Sequence, residues 1–315
     1  MTEIQQQSLK INPDRICEAI AKIGYTPQSA ILDIVDNSVS AGSTVIEIEF
    51  KLKDGATNSS KNGIEEVIIR DNGNGMSPEG IGKAFDFGSD VEYSKDSLSK
   101  YGIGLKAAGF SLGRAISVVS KVAKSKGVHA KTLDRDIILD KGLVYGNIDA
   151  TEEEKNYLKT EKKGTVVKLS KLRKGLPSAN RIESLINDVI GTTYLGFLTK
   201  KKAPLEVRII SKNKVHIVEP RDMLFWKDAQ DSYNPDDYNP LLPVKSLSES
   251  IHLSDNPDAQ PIKLKVSLFP REKTYQLPTI TEEEKKKFQG FQISQINKGL
   301  YIYRNGRLIR WAEKP

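Results

Sequence analysis

Four short clusters in this 315-residue chain hold side chains that can do chemistry. The first is Asp33-x-x-x-Asn37, a carboxylate and an amide four positions apart. On a helix that spacing places both on one face, and Ala41 extends the row by another turn. Read alone, the row is either a chemical arrangement or an ordinary solvated polar face. The second cluster is Asp71-x-Gly73-x-Gly75, running into Met76. Here a carboxylate can accept a hydrogen bond from a base edge, and the glycines keep the wall of a pocket low. A simple turn is the other reading; a calcium loop fits poorly, because the downstream glutamate of a twelve-residue loop is missing. The third is Lys100-Tyr101-Gly102-Ile103-Gly104-Leu105-Lys106, opening a helix. Unpaired backbone N–H groups and the positive dipole end make such a start a cradle for phosphate. Gly102 and Gly104 allow close approach, and Lys106 adds a point charge. In isolation this is also a glycine-rich turn. The fourth is Gly164-Thr165, heading a strand.

The elements that must position these clusters are legible in the pattern. A short helix is expected over 13–24, with Pro13 near its start and Gly24 at its end. Thr26-Pro27 opens a second helix that Ala41-Gly42 closes, with Ile31, Ile34, Val35 and Val39 on its apolar face. Residues 44–53 alternate, with Ile46, Ile48, Phe50 and Leu52 on one side and charges on the other, which predicts a half-buried strand. A second strand runs from Ile64 to Arg70, and Ser77-Pro78 starts a helix to about Phe85. Residues 86–101 are rich in glycine, serine and charge and read as a lid. Strands are expected at 115–120, 128–133, 137–139 and 164–169, and an exposed helix at 152–159. Gly175, Pro177, Ser178 and Asn180 mark a boundary. Beyond it come a helix near 180–190, strands at 205–211 and 262–269, a long polar loop over 219–261, and a hairpin at 300–309 turning on Asn305-Gly306.

Composition narrows the function classes. One cysteine, Cys17, excludes an internal disulfide framework and a cysteine zinc site, and three histidines argue against a histidine metal cage. No apolar run approaches the ~20 residues of a membrane span, and the polar N-terminus lacks a signal core. We therefore expect a cytoplasmic protein with no membrane contact. The net charge of +7 permits a polyanion partner without requiring one. Lysines gather in 155–174 and 200–202; a solvated face is the preferred reading, and a DNA surface the minority one.

Taken in order, the four clusters resemble the GHKL superfamily of ATPases: gyrase, heat-shock chaperone, histidine kinase and MutL. The stretch from Phe87 to Lys121, with Tyr-Gly-x-Gly-x-Lys and Ser-Leu-Gly-Arg-Ala, looks most like the MORC branch, as does Tyr-Arg-Asn-Gly-Arg-Leu-Ile near the end. The resemblance covers roughly residues 13–170. It implies an α+β fold: a Bergerat-type ATP-binding α/β sandwich over 1–175, then a smaller transducer-like (S5-like) α/β domain over 176–315, which stops as though truncated. It implies ATP and Mg2+ as cofactors. Asp71 would read the adenine amino group, Thr165 would lie near the base, and Ala41 beneath it. Asn37 would hold Mg2+ beside the phosphates, and Gly102, Gly104 and Lys106 would cradle them. The neighbours Gly73, Gly75, Met76, Tyr101, Ile103 and Leu105 complete the expected nucleotide site.

The family places glutamate four residues before the asparagine to activate water, whereas this chain has Asp33. Aspartate is one methylene shorter, so its oxygens sit about 1 Å further back, and misplacement on that scale can cost roughly a hundredfold in rate. Asp33 is the expected catalytic base of a slow ATPase. The expected behaviour is a nucleotide-gated clamp, in which ATP orders the lid and two copies dimerise through the N-terminal arm. A nucleotide-binding scaffold that hardly hydrolyses is the alternative. The family brings DNA and a further protein partner into view; chromatin compaction, DNA repair and prokaryotic antiviral defence all use this machine, and the sequence does not choose among them.

Overall fold

The computed structural model describes residues 11–88, 103–212, 214–231, 236–252, 254 and 260–314. The expected lid at 86–101 lies outside them from residue 89 on, Tyr101 included, as do Gly102 and the N-terminal arm before residue 11. The chain divides into two compact units, residues 1–190 with 197–219, and residues 191–196 with 220–315.

In the first unit the elements run α1 (Pro13–Ala21), α2 (Pro27–Ser40), β1 (Val45–Leu52), β2 (Ile64–Asp71), α3 (Pro78–Phe85), α4 (Gly104–Leu112), β3 (Gly113–Lys121), β4 (His129–Asp134), α5 (Arg135–Lys141), β5 (Gly146–Asn147), α6 (Glu152–Thr160) and β6 (Gly164–Leu172). Then follow α7 (Ala179–Thr193), the short α8 (Leu195–Leu198), β7 (Glu206–Ser211) and β8 (Lys214–Ile217). The eight strands form one sheet in the order β5-β4-β3-β6-β2-β1-β7-β8. Every pairing is antiparallel except β1 with β7. This is the mixed, helix-backed α+β layer the sequence implies.

The alternation of β1 explains how the layer closes. Ile46, Ile48 and Phe50 are almost fully buried. They stand opposite Asp71, Ile69 and Val67 of β2, which pair in turn with Thr165, Val167 and Leu169 of β6. That face packs against α2 and α4, whose Ile31, Ile34, Ala108 and Phe110 are buried. Burying a branched or aromatic side chain of this kind contributes about 1.5–3 kcal/mol. The opposite face is charged: Arg70 pairs with Glu49 and Glu153, each at 2.6 Å. There α6 covers Ile68, Val119 and Val166 with Leu158.

Capping fixes where the helices begin. Thr26 and Ser29 form a reciprocal capping box at α2, with Pro27 in the first turn. The N-caps of α1 and α3 are Asn12 and Ser77. By contrast, α4 starts at Gly104 after Ile103 with no side-chain cap among the described residues.

Two sequence expectations are corrected. Residues 137–139 are helix, not strand: Asp134 accepts from the Asp136 backbone N–H and starts α5, and Ile138 is buried within it. Nor is 219–261 one long loop, since it contains β9 (Val244–Ile251). β7 lies parallel beside β1, and the unit built on the large sheet takes in residues up to Glu219.

In the second unit β9 pairs with β10 (Ile262–Leu268), and β11 (Leu300–Arg304) pairs with β12 (Arg307–Glu313). Asn305 and Gly306 both have positive φ, +51° and +83°, as the expected tight turn demands. A helix, α9 (Glu282–Gly290), supplies Phe288 to an aromatic core with Phe225, Phe269 and Phe291, in which the Phe225 and Phe291 ring centroids are 5.0 Å apart.

Candidate functional site

Asp71 closes β2 and is buried, 3% exposed. Its Oδ2 accepts from the Ser38 hydroxyl at 2.8 Å. Its Oδ1 accepts from the Gly73 backbone N–H at 2.8 Å and from the Ser43 hydroxyl at 3.2 Å. Burial pushes the carboxyl above the usual carboxylate range, while these donors and the Thr165 backbone pull it back. The result is a carboxylate fixed in one orientation, a stationary acceptor.

The walls around it are made by close backbone approaches. A Cβ on Gly73 would lie 2.8 Å from that of Ala41 and 2.7 Å from the Ser43 oxygen. Gly75 has φ +70°, and a Cβ there would meet the Lys121 carbonyl at 2.0 Å. Gly164 has φ +135°, and a Cβ there would meet the Asp71 carbonyl at 2.0 Å. Only glycine fits either position. The Met76 backbone N–H donates to Ser120 Oγ, which lies 2.9 Å from Thr165 Oγ1 and donates to the Gly164 carbonyl. Asp71 and Thr165 face each other in the β2–β6 register. Thus Ala41, Asp71, Gly73, Gly75, Met76 and Thr165 gather at one end of the sheet.

Asp33 is half-buried two turns into α2. Its Oδ2 accepts from the Tyr25 hydroxyl at 2.6 Å and lies where a Cβ on Gly104 would come within 2.8 Å. The acid of the first cluster therefore meets the uncapped start of α4, where Ile103, Gly104 and Leu105 sit. Asn37 is exposed, one turn further along α2.

Lys106 follows in α4; it is 1% exposed, and its ammonium donates to the carbonyls of Ala84 at 2.9 Å and Asp86 at 2.6 Å. Burial pulls its pKa down to about 8, with Asp86 opposing. The structure thus brings this ammonium to the C-terminal end of α3.

Several site residues carried no signal of their own. Ser38 and Ser43 look like surface serines until the fold sets them on Asp71. Ser120 could have been flagged as a polar residue in the apolar strand Ala115–Val119. Asn72 accepts from the Thr44 and Val45 backbone N–H groups and holds β1 to the turn after β2.

Comparison with known proteins gives this geometry its context. Residues 25–165 match the family described as histidine kinase-, DNA gyrase B-, and HSP90-like ATPase. That range takes in Asp33, Asn37, Asp71, Gly104 and Thr165. Over that range the chain is similar to GHKL-type ATPase domains. The chain is 32% identical over 95 residues to Protein MICRORCHIDIA 1 and 26% identical over 100 residues to Protein MICRORCHIDIA 6, both of Arabidopsis thaliana. These alignments cover 29% and 31% of this chain and 14% of each relative, so the chain matches about a seventh of either relative's length. The GHKL likeness implies ATP as the nucleotide. No helix among the described residues is long and apolar enough to cross a membrane.

The residues present fit the nucleotide. Asp71 offers a fixed acceptor, Gly73 and Ala41 a low wall, and α4 an uncapped N-terminus for anionic oxygens. Among the described residues no group of three or more acidic, histidine or cysteine side chains could hold a metal. Asn37 presents one exposed amide, whose oxygen is of the hard type that Mg2+ accepts beside phosphate and water.

Proposed function

We propose that this chain is a Mg2+-dependent ATPase that works as a nucleotide-gated switch between separate and paired copies. The observation that carries the reading is the placement of Asp33 against Gly104, at the start of α4, with the Asp71 acceptor on the strand beside α2. Asp71 accepts from the adenine amino group, and Thr165 and Ser120 line the base. Gly104 and Leu105 present backbone N–H groups to the phosphates. Asn37 gives its amide oxygen to Mg2+, which when bound neutralises phosphate charge. Asp33 orients the attacking water and takes its proton. Lys106 holds the C-terminal end of α3 in place.

The second unit acts as a transducer that senses the nucleotide, and two copies pair when ATP is bound. The lysines of 155–174 and 200–202 support association with DNA, and the MORC likeness supports a defence role. Parent and Asp33→Asn chains would be compared by ATP turnover and by sedimentation with a non-hydrolysable analogue. Turnover lost in Asp33→Asn, with pairing retained in both, is expected; pairing indifferent to nucleotide would remove the switch. A second reading is favoured by the shorter acid: a scaffold that binds ATP and pairs but turns over too slowly for hydrolysis to reset it.

A further inference from the structure

Tyr25 sits just before the N-cap of α2, eight residues from Asp33. Helical side chains lean toward the N-terminus, so Asp33 points back along α2 toward it. The phenol reaches forward over the first two turns, and its hydroxyl meets Asp33 Oδ2 at 2.6 Å. That same oxygen abuts Gly104, so it is held between a phenol and the first residue of α4. An aspartate on a free helix face would sample several rotamers; here one is selected from both sides.

We infer that Tyr25 is a positioning residue for hydrolysis, its hydroxyl holding the short Asp33 carboxylate at the start of α4. The inference rests on the reading of Asp33 as the water-orienting acid. It answers the difficulty that reading carries: a carboxylate set back by one methylene tolerates less rotational freedom than a glutamate. Burial and the neighbouring Asp33 and Asp36 charges push the Tyr25 phenol up, so it stays a donor at all working pH values. Removing the hydroxyl leaves the ring in place and frees the acid to turn.

The test uses the full chain as parent, Tyr25→Phe, Asp33→Asn and the double variant, with kcat, KM for ATP, analogue affinity and melting temperature measured for each. Tyr25→Phe is expected to lower kcat roughly ten- to hundredfold, the scale of a small misplacement, with KM and analogue affinity unchanged. In the Asp33→Asn background the same substitution is expected to change nothing further. An unchanged kcat in Tyr25→Phe overturns the inference while leaving Asp33 its role. So does a loss of kcat that comes with weaker analogue binding and a lower melting temperature, since that marks a packing role. A parent without turnover, or an Asp33→Asn chain as fast as the parent, overturns the reading of Asp33 and the inference with it.

Discussion

The Ser38 hydroxyl on α2 donates to Asp71 Oδ2 at the end of β2, across 2.8 Å of buried space. With Ser43 and the Gly73 N–H on the other oxygen, it leaves the carboxylate one orientation. A stationary acceptor discriminates more sharply than a mobile one, because a ligand lacking the matching donor leaves a buried polar group unpaired. ATP is therefore expected to bind more tightly than GTP. Ser38→Ala, which removes one of these donors, should weaken ATP binding by about 1 kcal/mol; titration calorimetry with both nucleotides checks this.

Gly164 and Gly75 are both forced by backbone proximity. An alanine Cβ at Gly164 would need the Asp71 carbonyl, 2.0 Å away, to retreat. Moving that carbonyl moves the Asp71 side chain too. Gly164→Ala should cost more than about 2 kcal/mol of stability and weaken ATP binding as well. Gly142, with φ +86° and nothing within 4 Å of its added Cβ, is the control. Gly142→Ala should cost only backbone strain, about 1–3 kcal/mol, and leave ATP affinity alone. Thermal denaturation and ATP titration of the two variants together separate these outcomes.

These features show where the sequence was readable. The β1 alternation, the Thr26-Pro27 helix start and the Asn305-Gly306 turn are local signals, and each element stands within a residue or two of its expected place. What escaped was non-local. Residues 206–211 read as a strand, but nothing local says that it pairs in parallel with β1 and extends the first unit to Glu219. Ile137-Ile138-Leu139 is an apolar run too short to show a period, so the cap at Asp134 decided it. Ser38, Ser43 and Tyr25 acquire meaning only when the chain brings a carboxylate to them. The hydrogen bonds of Lys106 to the Ala84 and Asp86 carbonyls are equally non-local, and its spacing from Gly104 carries no sign of them.

That position for Lys106 has its own consequence. Lys106→Met removes the donor from the Ala84 and Asp86 carbonyls, which should destabilise the domain by about 1–3 kcal/mol. A melting-temperature drop of several degrees is expected, detectable by calorimetry without nucleotide. An unchanged melting temperature with abolished ATP binding would instead put the ammonium on the phosphates.

Acid should expose a support of the fold. Glu18 on α1 accepts from Arg173 and Arg135, which hold its carboxyl down at about 2 against an ordinary 4.5. A depressed carboxylate contributes stability above its unfolded value, and that contribution is lost as pH falls through 4.5 toward 2. The parent should therefore melt above Glu18→Gln at neutral pH, and the two curves should converge between pH 4.5 and 2. A difference that persists at pH 2 would contradict the ion-pair account.

The most direct measurement of the central claim is Mg-ATP binding and turnover, side by side, for the parent, Asp33→Asn and Asp71→Asn. The account predicts that the parent binds and hydrolyses ATP, that Asp33→Asn binds without hydrolysing, and that Asp71→Asn loses binding. A parent that fails to bind ATP, or an Asp71→Asn chain that binds it as tightly as the parent, would contradict it.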